Sequence, residues 1–319
     1  MDKSFKVSVI IPACNEEEAI GKVVAEVIMV LEARRFEHEV IVIDDGSRDN
    51  TALEASRAGA KVLQHPYNIG NGAAVKSGIR AAKGEIFVFM DGDGQHDPQE
   101  IARLLQFIPQ YDMVVGARSF GSQSSFGRAF GNKAFNWLAS YVAKFRVEDL
   151  TSGFRAAKAD IARSFVYLLP NTYSYPTTIT LGALRSGNSV KYLSIQTHKR
   201  QTGSSQVRPI RDGVRFFMII TRICTLYSPM RVFLPVSFFM FVLGTANYAI
   251  TFFPQGRFTN MSALLYVTSI LIFMLSLISE QICQMRFERR GADRATAKLY
   301  MEEDRQRPEA GNEPGGAQD

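Results

Sequence analysis

Short apolar runs alternate with charged stretches of helical period through the first two-thirds of the chain. Phe5–Pro12 reads as a strand, Glu16–Arg34 repeats apolar residues at helical spacing, and Glu39–Ile43 is a second strand. Asp49–Ala58 is a second helix, opened by Asp, Asn and Thr, the residue types that cap helices. The unit then recurs as Ala60–Leu63, Gly72–Ala82, Glu85–Met90, Pro98–Phe107 and Met113–Gly116. Strands separated by helices pair in parallel, because a parallel neighbour needs a long crossover. The expected fold is therefore an α/β, mostly parallel sheet with helices on both faces.

Beyond residue 230 the pattern changes. Val232–Phe253 is 22 residues without a charge, and Met261–Ser279 a further 19. Each falls in the range of roughly 17–25 needed to cross a bilayer, and neither has a polar face, so both are expected to be transmembrane helices. Pro235 lies near the start of the first, where it costs little. Arg208, Arg211, Arg215, Arg222 and Arg231 precede the pair, and Arg286, Arg289, Arg290 and Arg294 follow it, whereas the Pro254–Asn260 loop carries only Arg257. The positive-inside rule then places both flanks in the cytoplasm. Between domain and spans, Phe216, Phe217, Ile219, Ile220 and Ile223 alternate with Arg211, Arg215 and Arg222, the pattern of an amphipathic helix lying on a membrane. The expected organisation is a cytoplasmic domain over 1–205, a juxtamembrane helix over 206–229, two spans over 230–285 and a disordered tail over 286–319, charged and rich in Pro, Gly and Glu.

Composition alters this picture little. The 319 residues are 46% hydrophobic, enough for a full core, and the N-terminus is too short for a signal-peptide apolar region. The net charge of +6 comes largely from the juxtamembrane arginines, which suit an anionic leaflet better than nucleic acid. Cys14, Cys224 and Cys283 are odd in number and widely spaced, against a disulfide framework or structural zinc.

Candidate chemistry gathers in the loops after the strands. Pro12-Ala13-Cys14-Asn15-Glu16 follows the first, Asp44-Asp45-Gly46-Ser47 the second, Asn68-Ile69-Gly70-Asn71-Gly72 the third and Asp91-Gly92-Asp93 the fourth. Ligands of doubly wound sheets bind beyond the carboxyl ends of the strands, so these four loops converge on one edge. Each alone is also ordinary turn or cap composition; their convergence makes them a candidate site. No GxGxxG follows the first strand and no GxxxxGK[ST] occurs, which disfavours a Rossmann dehydrogenase or a P-loop NTPase. Asp91 and Asp93, one residue apart at a strand end, suit a divalent cation carrying a nucleotide diphosphate.

The motifs Val9–Glu16, Val42–Ser47, Asn68–Gly72, Asp91-Gly92-Asp93-Gly94-Gln95-His96, Gly116-Ala117-Arg118, Asp149–Arg155 and Arg200–Ser205 occur in order, and over about residues 5–285 the chain resembles the inverting GT-A (Rossmann-like) glycosyltransferases of family 2. Within them it is similar to the polyprenyl-phosphate, dolichol-phosphate mannose synthase-like branch. The resemblance implies a nucleotide-sugar donor whose base end is held by Pro12, Glu16 and Asp45, with Asp44 adjoining. Asp91, Asp93 and Gln95 would bind Mg²⁺ or Mn²⁺ and through it the diphosphate, and Arg200 would close over the phosphates. Arg118, Arg128, Asn132 and Ser152 would receive the acceptor lipid phosphate, although a serine is more typical at 132. It also permits a homotetramer packed through the membrane helices. The catalytic roles fall to Asp93, Arg118 and Arg200.

Elementary chemistry supports these roles. A departing diphosphate develops charge that a cation and an arginine can stabilise. A phosphate monoester, with a second pKa of about 6, is already largely dianionic at neutral pH and needs no strong base to attack. It does need cations between two anions, and a guanidinium grips phosphate through paired bonds. Two rivals stand beside this reading. A processive polysaccharide synthase of the same fold is expected to carry Gln-x-x-Arg-Trp, absent around the single Trp137, and more spans. A non-catalytic membrane scaffold is expected to lose Asp91, Asp93 or Arg200, and all three are present. Glucose, mannose, N-acetylhexosamine and aminoarabinose transferases would share these motifs.

Overall fold

The structure, a computed structural model, describes residues 5–118, 140, 145–171, 175–196 and 229–306. Arg128, Asn132, Arg200 and residues 206–228 of the surface helix expected over 206–229 lie outside the described residues. The chain divides into two compact units, Met1–Tyr227 and Ser228–Asp319.

In the first unit β1 (Val7–Ala13), α1 (Glu17–Ala33), β2 (His38–Asp44), α2 (Thr51–Arg57), β3 (Lys61–Gln64), α3 (Asn71–Ala81), β4 (Ile86–Phe89), α4 (Glu100–Phe107) and β5 (Met113–Arg118) follow the predicted alternation. Then come β6 (Arg155–Lys158), α5 (Ala159–Phe165), α6 (Tyr175–Arg185) and β7 (Val190–Ile195). The strands form one sheet in the order β3-β2-β1-β4-β6-β5-β7. Only β6 runs antiparallel, between β4 and β5.

Period-two alternation divides the strand side chains between two cores. Val7, Val9 and Ile11 of β1 and Val40 and Val42 of β2 pack with Val24, Val27 and Leu31 of α1 and Leu104 of α4. Ile10, Ile41 and Ile43 turn the other way, toward Val75 and Ile79 of α3 and Phe165 and Ile179 beyond. With both faces covered, the inner parallel strands β1, β2 and β4 are largely apolar, which is how they read in sequence, whereas the antiparallel β6 is not. The register places Arg155, first residue of β6, opposite both Phe89 and Val115. The segment before β6 therefore reaches the same edge at which β1, β2, β4 and β5 end.

The second unit is a helical hairpin of α7 (Pro229–Gln255) and α8 (Asn260–Gln306). Pro229–Phe253 and Asn260–Met285 are long and apolar enough to cross a membrane, and most of their surface is exposed. Ser262, Ser269, Ser276 and Cys283 are buried at seven-residue spacing on α8, a narrow seam of small side chains that lets two helices approach. Ser237 Oγ donates to the Ser269 carbonyl (2.8 Å) and Ser269 Oγ to the Ser237 carbonyl (2.9 Å), fixing the register. Glu280 accepts the backbone N–H of Met230 at 3.3 Å, satisfying a donor in the first turn of α7. α8 extends to Gln306, into the segment expected as a tail over 286–319, and residues 307–319 lie outside the described residues. The Arg, Lys, Glu and Ala that make Ala292–Gln306 polar are also strong helix formers.

Candidate functional site

The loops after β1 and β2 are joined by short polar bonds. Ser47 Oγ accepts the Asn15 N–H (2.9 Å), Asn15 Oδ1 accepts the Arg48 N–H (2.9 Å), and Thr51 Oγ1 accepts the Glu16 N–H (2.9 Å). Asp49, rather than the cap residue Asn50, opens α2 by accepting the Thr51 N–H at 3.1 Å. The two neighbouring aspartates diverge in role. Asp45, 3% exposed, accepts the N–H groups of Ile69 (3.0 Å) and Gly70 (2.8 Å) and bonds His65 Nδ1 at 2.7 Å. His65 Nε2 meets Ser77 Oγ of α3 at 2.9 Å. Asp45 thus pins the loop between β3 and α3 onto β2. Asp44 is held by the Ser47 N–H (3.0 Å) and hydroxyl, and it lines a cleft of about 750 Å³. Cys14, Asn15, Gly46, Arg48, His65 and Asn68 share that cleft; Asp45 is not among its walls. Gly46 has φ +69°, and a Cβ there would sit 2.4 Å from the Tyr67 carbonyl carbon, so the cleft depends on glycine at this turn. Burial, with the nearby acids, raises the pKa of the Cys14 thiol even though Asn68 bonds it. Pro12 is buried in β1 with its carbonyl beside Gly92, and Glu16 stands half-buried before α1.

Beyond β4, Asp91, Asp93 and Gln95 are all partly exposed. Asp93 Oδ1 accepts the Gln95 N–H at 3.1 Å, the turn that presents this segment. His96, buried and stacked on Phe154 at 5.0 Å, sets Nε2 3.7 Å from Asp91 Oδ2. Burial opposes ionisation of Asp91, but His96, then Arg118 and Arg155, outweigh it and hold its pKa below the ordinary range. A Cβ on Gly153 would lie 2.8 Å from Asp91 Oδ2, so glycine there leaves the room the carboxylate occupies. Among the described residues no three His, Cys, Asp or Glu side chains gather into a closed metal cage. Two carboxylates and an amide carbonyl are hard oxygen donors, and they fit Mg²⁺ or Mn²⁺, which keep positions for phosphate oxygens and water.

Across the same edge, Arg118 ends β5. Its Nε donates to Asp149 Oδ2 (2.8 Å), and its Nη2 to Asp149 Oδ1 (3.1 Å) and Thr151 Oγ1 (2.6 Å). Asp149 also accepts the N–H groups of Arg118 (3.3 Å), Thr151 (3.1 Å) and Ser152 (3.1 Å). Burial opposes ionisation of both partners; their mutual bond outweighs it, lowering the pKa of Asp149 and raising that of Arg118. Ser152 is buried, and its hydroxyl has no hydrogen-bond partner among the described residues. Arg155, fully buried, donates from Nη1 to the Pro176 carbonyl (2.9 Å) and Thr180 Oγ1 (2.8 Å) and from Nη2 to the Ser152 carbonyl. No salt bridge is found for it among the described residues, and burial lowers its pKa.

Of the residues expected from sequence, Asp44, Asp91, Asp93, Gln95, Arg118 and Ser152 therefore meet on one edge, and Asp45 stands just behind it. Sequence reading gave no role to Asp149, His65, His96, Gly153 or Arg155. Asp149, Gly153 and Arg155 lay inside a recognised motif, yet nothing in that motif said which residue is buried or paired with Arg118.

Comparisons agree with this geometry. Residues 8–167 match glycosyl transferase family 2, and residues 228–285 match the GtrB C-terminal hairpin. An undecaprenyl-phosphate 4-deoxy-4-formamido-L-arabinose transferase of Pseudomonas fluorescens (strain Pf0-1) is 26% identical over 268 residues, covering 79% of this chain and 74% of the relative. A dodecaprenyl-phosphate galacturonate synthase of Rhizobium johnstonii is 26% identical over 232 residues, 68% of each chain. The fold is similar to that of glucosyl-3-phosphoglycerate synthase from Mycobacterium tuberculosis, solved with Mn²⁺, UDP and glucosyl-3-phosphoglycerate. The TM-score is 0.54 at 20% identity, over 69% of this chain and 80% of the other. With half of its length matched, and with the carboxylate edge of the sheet built from the matched residues, the chain belongs to glycosyl transferase family 2.

Proposed function

We propose that this protein is a membrane-anchored, metal-dependent inverting glycosyltransferase that moves one sugar from a nucleoside-diphosphate donor to a polyprenyl phosphate on the cytoplasmic face. The observation that carries the reading is the pairing, on one sheet edge, of partly exposed Asp91 and Asp93 with the Arg118–Asp149–Ser152 group, in a chain that also carries an apolar helical hairpin. The relatives named for undecaprenyl- and dodecaprenyl-phosphate acceptors support the lipid phosphate, and the neighbour solved with Mn²⁺ and UDP supports the metal and the nucleotide.

The cleft beside Asp44 takes the nucleoside, and Asp91, Asp93 and Gln95 hold the cation. A bound Mg²⁺ or Mn²⁺ supplies charge to the diphosphate as the glycosidic bond stretches. Arg118 and Ser152 hold the acceptor phosphate on the other side, with Arg128 adding charge and Asn132 an amide donor, and Arg200 closes over the donor phosphates. The phosphate dianion attacks the anomeric carbon opposite the departing diphosphate, with no proton to remove. The hairpin keeps the domain at the leaflet where a polyprenyl phosphate emerges, and the arginines flanking both spans set its cytoplasmic side.

The test is incubation of membranes containing the full chain with labelled UDP- and GDP-sugars, polyprenyl phosphate and Mg²⁺ or Mn²⁺, followed by lipid extraction and mass measurement. One donor should label lipid with a single sugar, and Asp93→Asn should lower transfer by about a hundredfold or more, the scale of losing a preorganised charge at the leaving group. Unchanged transfer by Asp93→Asn would sink the reading, as would the absence of labelled lipid with every donor.

A further inference from the structure

Asp149 is the most heavily bonded carboxylate among the described residues. It is 6% exposed, and its two oxygens accept from three backbone N–H groups, two nitrogens of the Arg118 guanidinium and the Thr151 hydroxyl. Three segments meet at this one group: the end of β5, the turn at 149–152 and, through the Ser152 carbonyl held by Arg155, the buried start of β6. The guanidinium is constrained on one edge. Nε and Nη2 are committed to Asp149 and Thr151, and Nη1 makes no hydrogen bond among the described residues. The same carboxylate turns the Ser152 backbone, and Ser152 Oγ is buried with no partner among the described residues.

We infer that Asp149 is a positioning residue for the acceptor phosphate: it fixes one edge of Arg118 so that Nη1 is presented, and through the same two oxygens it sets the Ser152 hydroxyl. This rests on reading that edge as the acceptor site. A free arginine side chain must lose rotamer freedom when it grips an anion, whereas one already clamped by a buried carboxylate does not. The clamp also has a charge cost. Asp149 offsets the charge of Arg118, so the arginine contributes directed donors more than net positive potential. A competing arrangement, in which the phosphate displaces Asp149 from Arg118, is disfavoured because the carboxylate would keep three backbone N–H groups while losing its counter-charge in a buried place.

The test uses the full chain in detergent, with farnesyl phosphate as the acceptor probe and UDP or GDP, whichever the wild type binds, as the donor probe; calorimetry reads both affinities. Asp149→Asn should weaken farnesyl phosphate about tenfold and leave the nucleotide within about twofold, the scale of losing a charge-assisted hydrogen bond. Thr151→Val should weaken it by about threefold, and it decides the matter if the asparagine variant does not fold. In an Arg118→Met background, Asp149→Asn should add nothing, since one unit has already been broken. Equal weakening of both ligands in Asp149→Asn, an unmoved farnesyl phosphate affinity in Thr151→Val, tighter binding in either, or additive losses in the double variant each overturn the inference. So does a wild type that binds no farnesyl phosphate. A wild type that binds both probes but transfers no sugar overturns the proposed reaction instead, and the affinities still decide the role of Asp149.

Discussion

The two sides of the sheet edge are stabilised by different kinds of bond. On the side of β1, β2 and β3, polar groups are met by loops that themselves end neighbouring strands: Asp45 by the N–H groups of Ile69 and Gly70, Asn15 by Ser47 and Arg48. On the side of β5 and β6, Arg118 reaches 31 residues along the chain to Asp149, and Arg155 reaches into α6. There, among the described residues, the Ser152 hydroxyl, Arg155 Nε and, nearby, His96 Nδ1 are buried without hydrogen-bond partners. Loops tied together by several short bonds hold a defined cleft, and a buried polar group with spare valence costs stability unless it serves a ligand or water. The difference is one of degree: among the described residues the nucleoside side leaves one buried polar atom unmatched, Asn71 Oδ1 at the start of α3, whereas the acceptor side and the neighbouring His96 leave several.

The contrast is most easily broken at Asp45. Asp45→Ala should lower unfolding free energy by about 3 kcal/mol, because it strands two backbone N–H groups and His65. Asp44→Asn, one residue away, should cost much less stability and act on nucleotide affinity instead. Chemical denaturation of both variants, with nucleotide titration, checks the pair. If Asp45→Ala folds as stably as the wild type and loses only nucleotide affinity, then Asp45 is a ligand group and the division of labour drawn here is wrong.

A second, smaller effect sits where the two sides meet. Gly153→Ala places a Cβ 2.8 Å from Asp91 Oδ2 and 3.2 Å from the Tyr175 hydroxyl, and a short carboxylate side chain cannot move far aside. Transfer should fall about tenfold, with more Mn²⁺ needed for half-maximal rate, since a misplaced ligand weakens the cation before it weakens the fold. An unshifted metal titration with normal transfer would show that Asp91 has slack the geometry does not reveal.

The nucleoside side was legible in sequence because it is built from apolar runs each ending in a short polar motif. The other side was legible only in part: β5 and the motif residues Arg118 and Ser152 were read, but not β6 or the burial of Arg155. Residues 155–158, Arg-Ala-Ala-Lys, have no apolar run, and a strand that begins with arginine reads as surface, yet Arg155 is fully buried with carbonyl and hydroxyl partners. Helix α6 carries Pro176, Thr177, Thr178 and Thr180, poor helix formers chosen by packing rather than propensity. Adjacent Asp44 and Asp45 carry identical chemistry in sequence; only the turn at Gly46 decides which one lines the cleft. The apolar spans needed no such context, because a bilayer reads composition and length directly.

The smallest predicted effect concerns pH, and it falls on the Arg118–Asp149 clamp. Burial opposes the Asp149 charge, but the bonds from Arg118 outweigh it, so the folded pKa lies below the unfolded one. A depressed carboxylate pKa means the folded state binds the proton less readily than the unfolded chain. The clamp therefore stabilises fully above the unfolded value of about 4 and loses its contribution as pH falls through the folded value. At pH 7 wild type should exceed Asp149→Asn by about 1 kcal/mol, the worth of a charge-assisted bond over a neutral one, and the gap should narrow steadily in acid below about pH 4. Denaturation of both proteins across that range measures it. A gap that stays constant into acid would mean the carboxylate contributes shape rather than charge, and Arg118 would then be held as firmly by a neutral amide as by an aspartate.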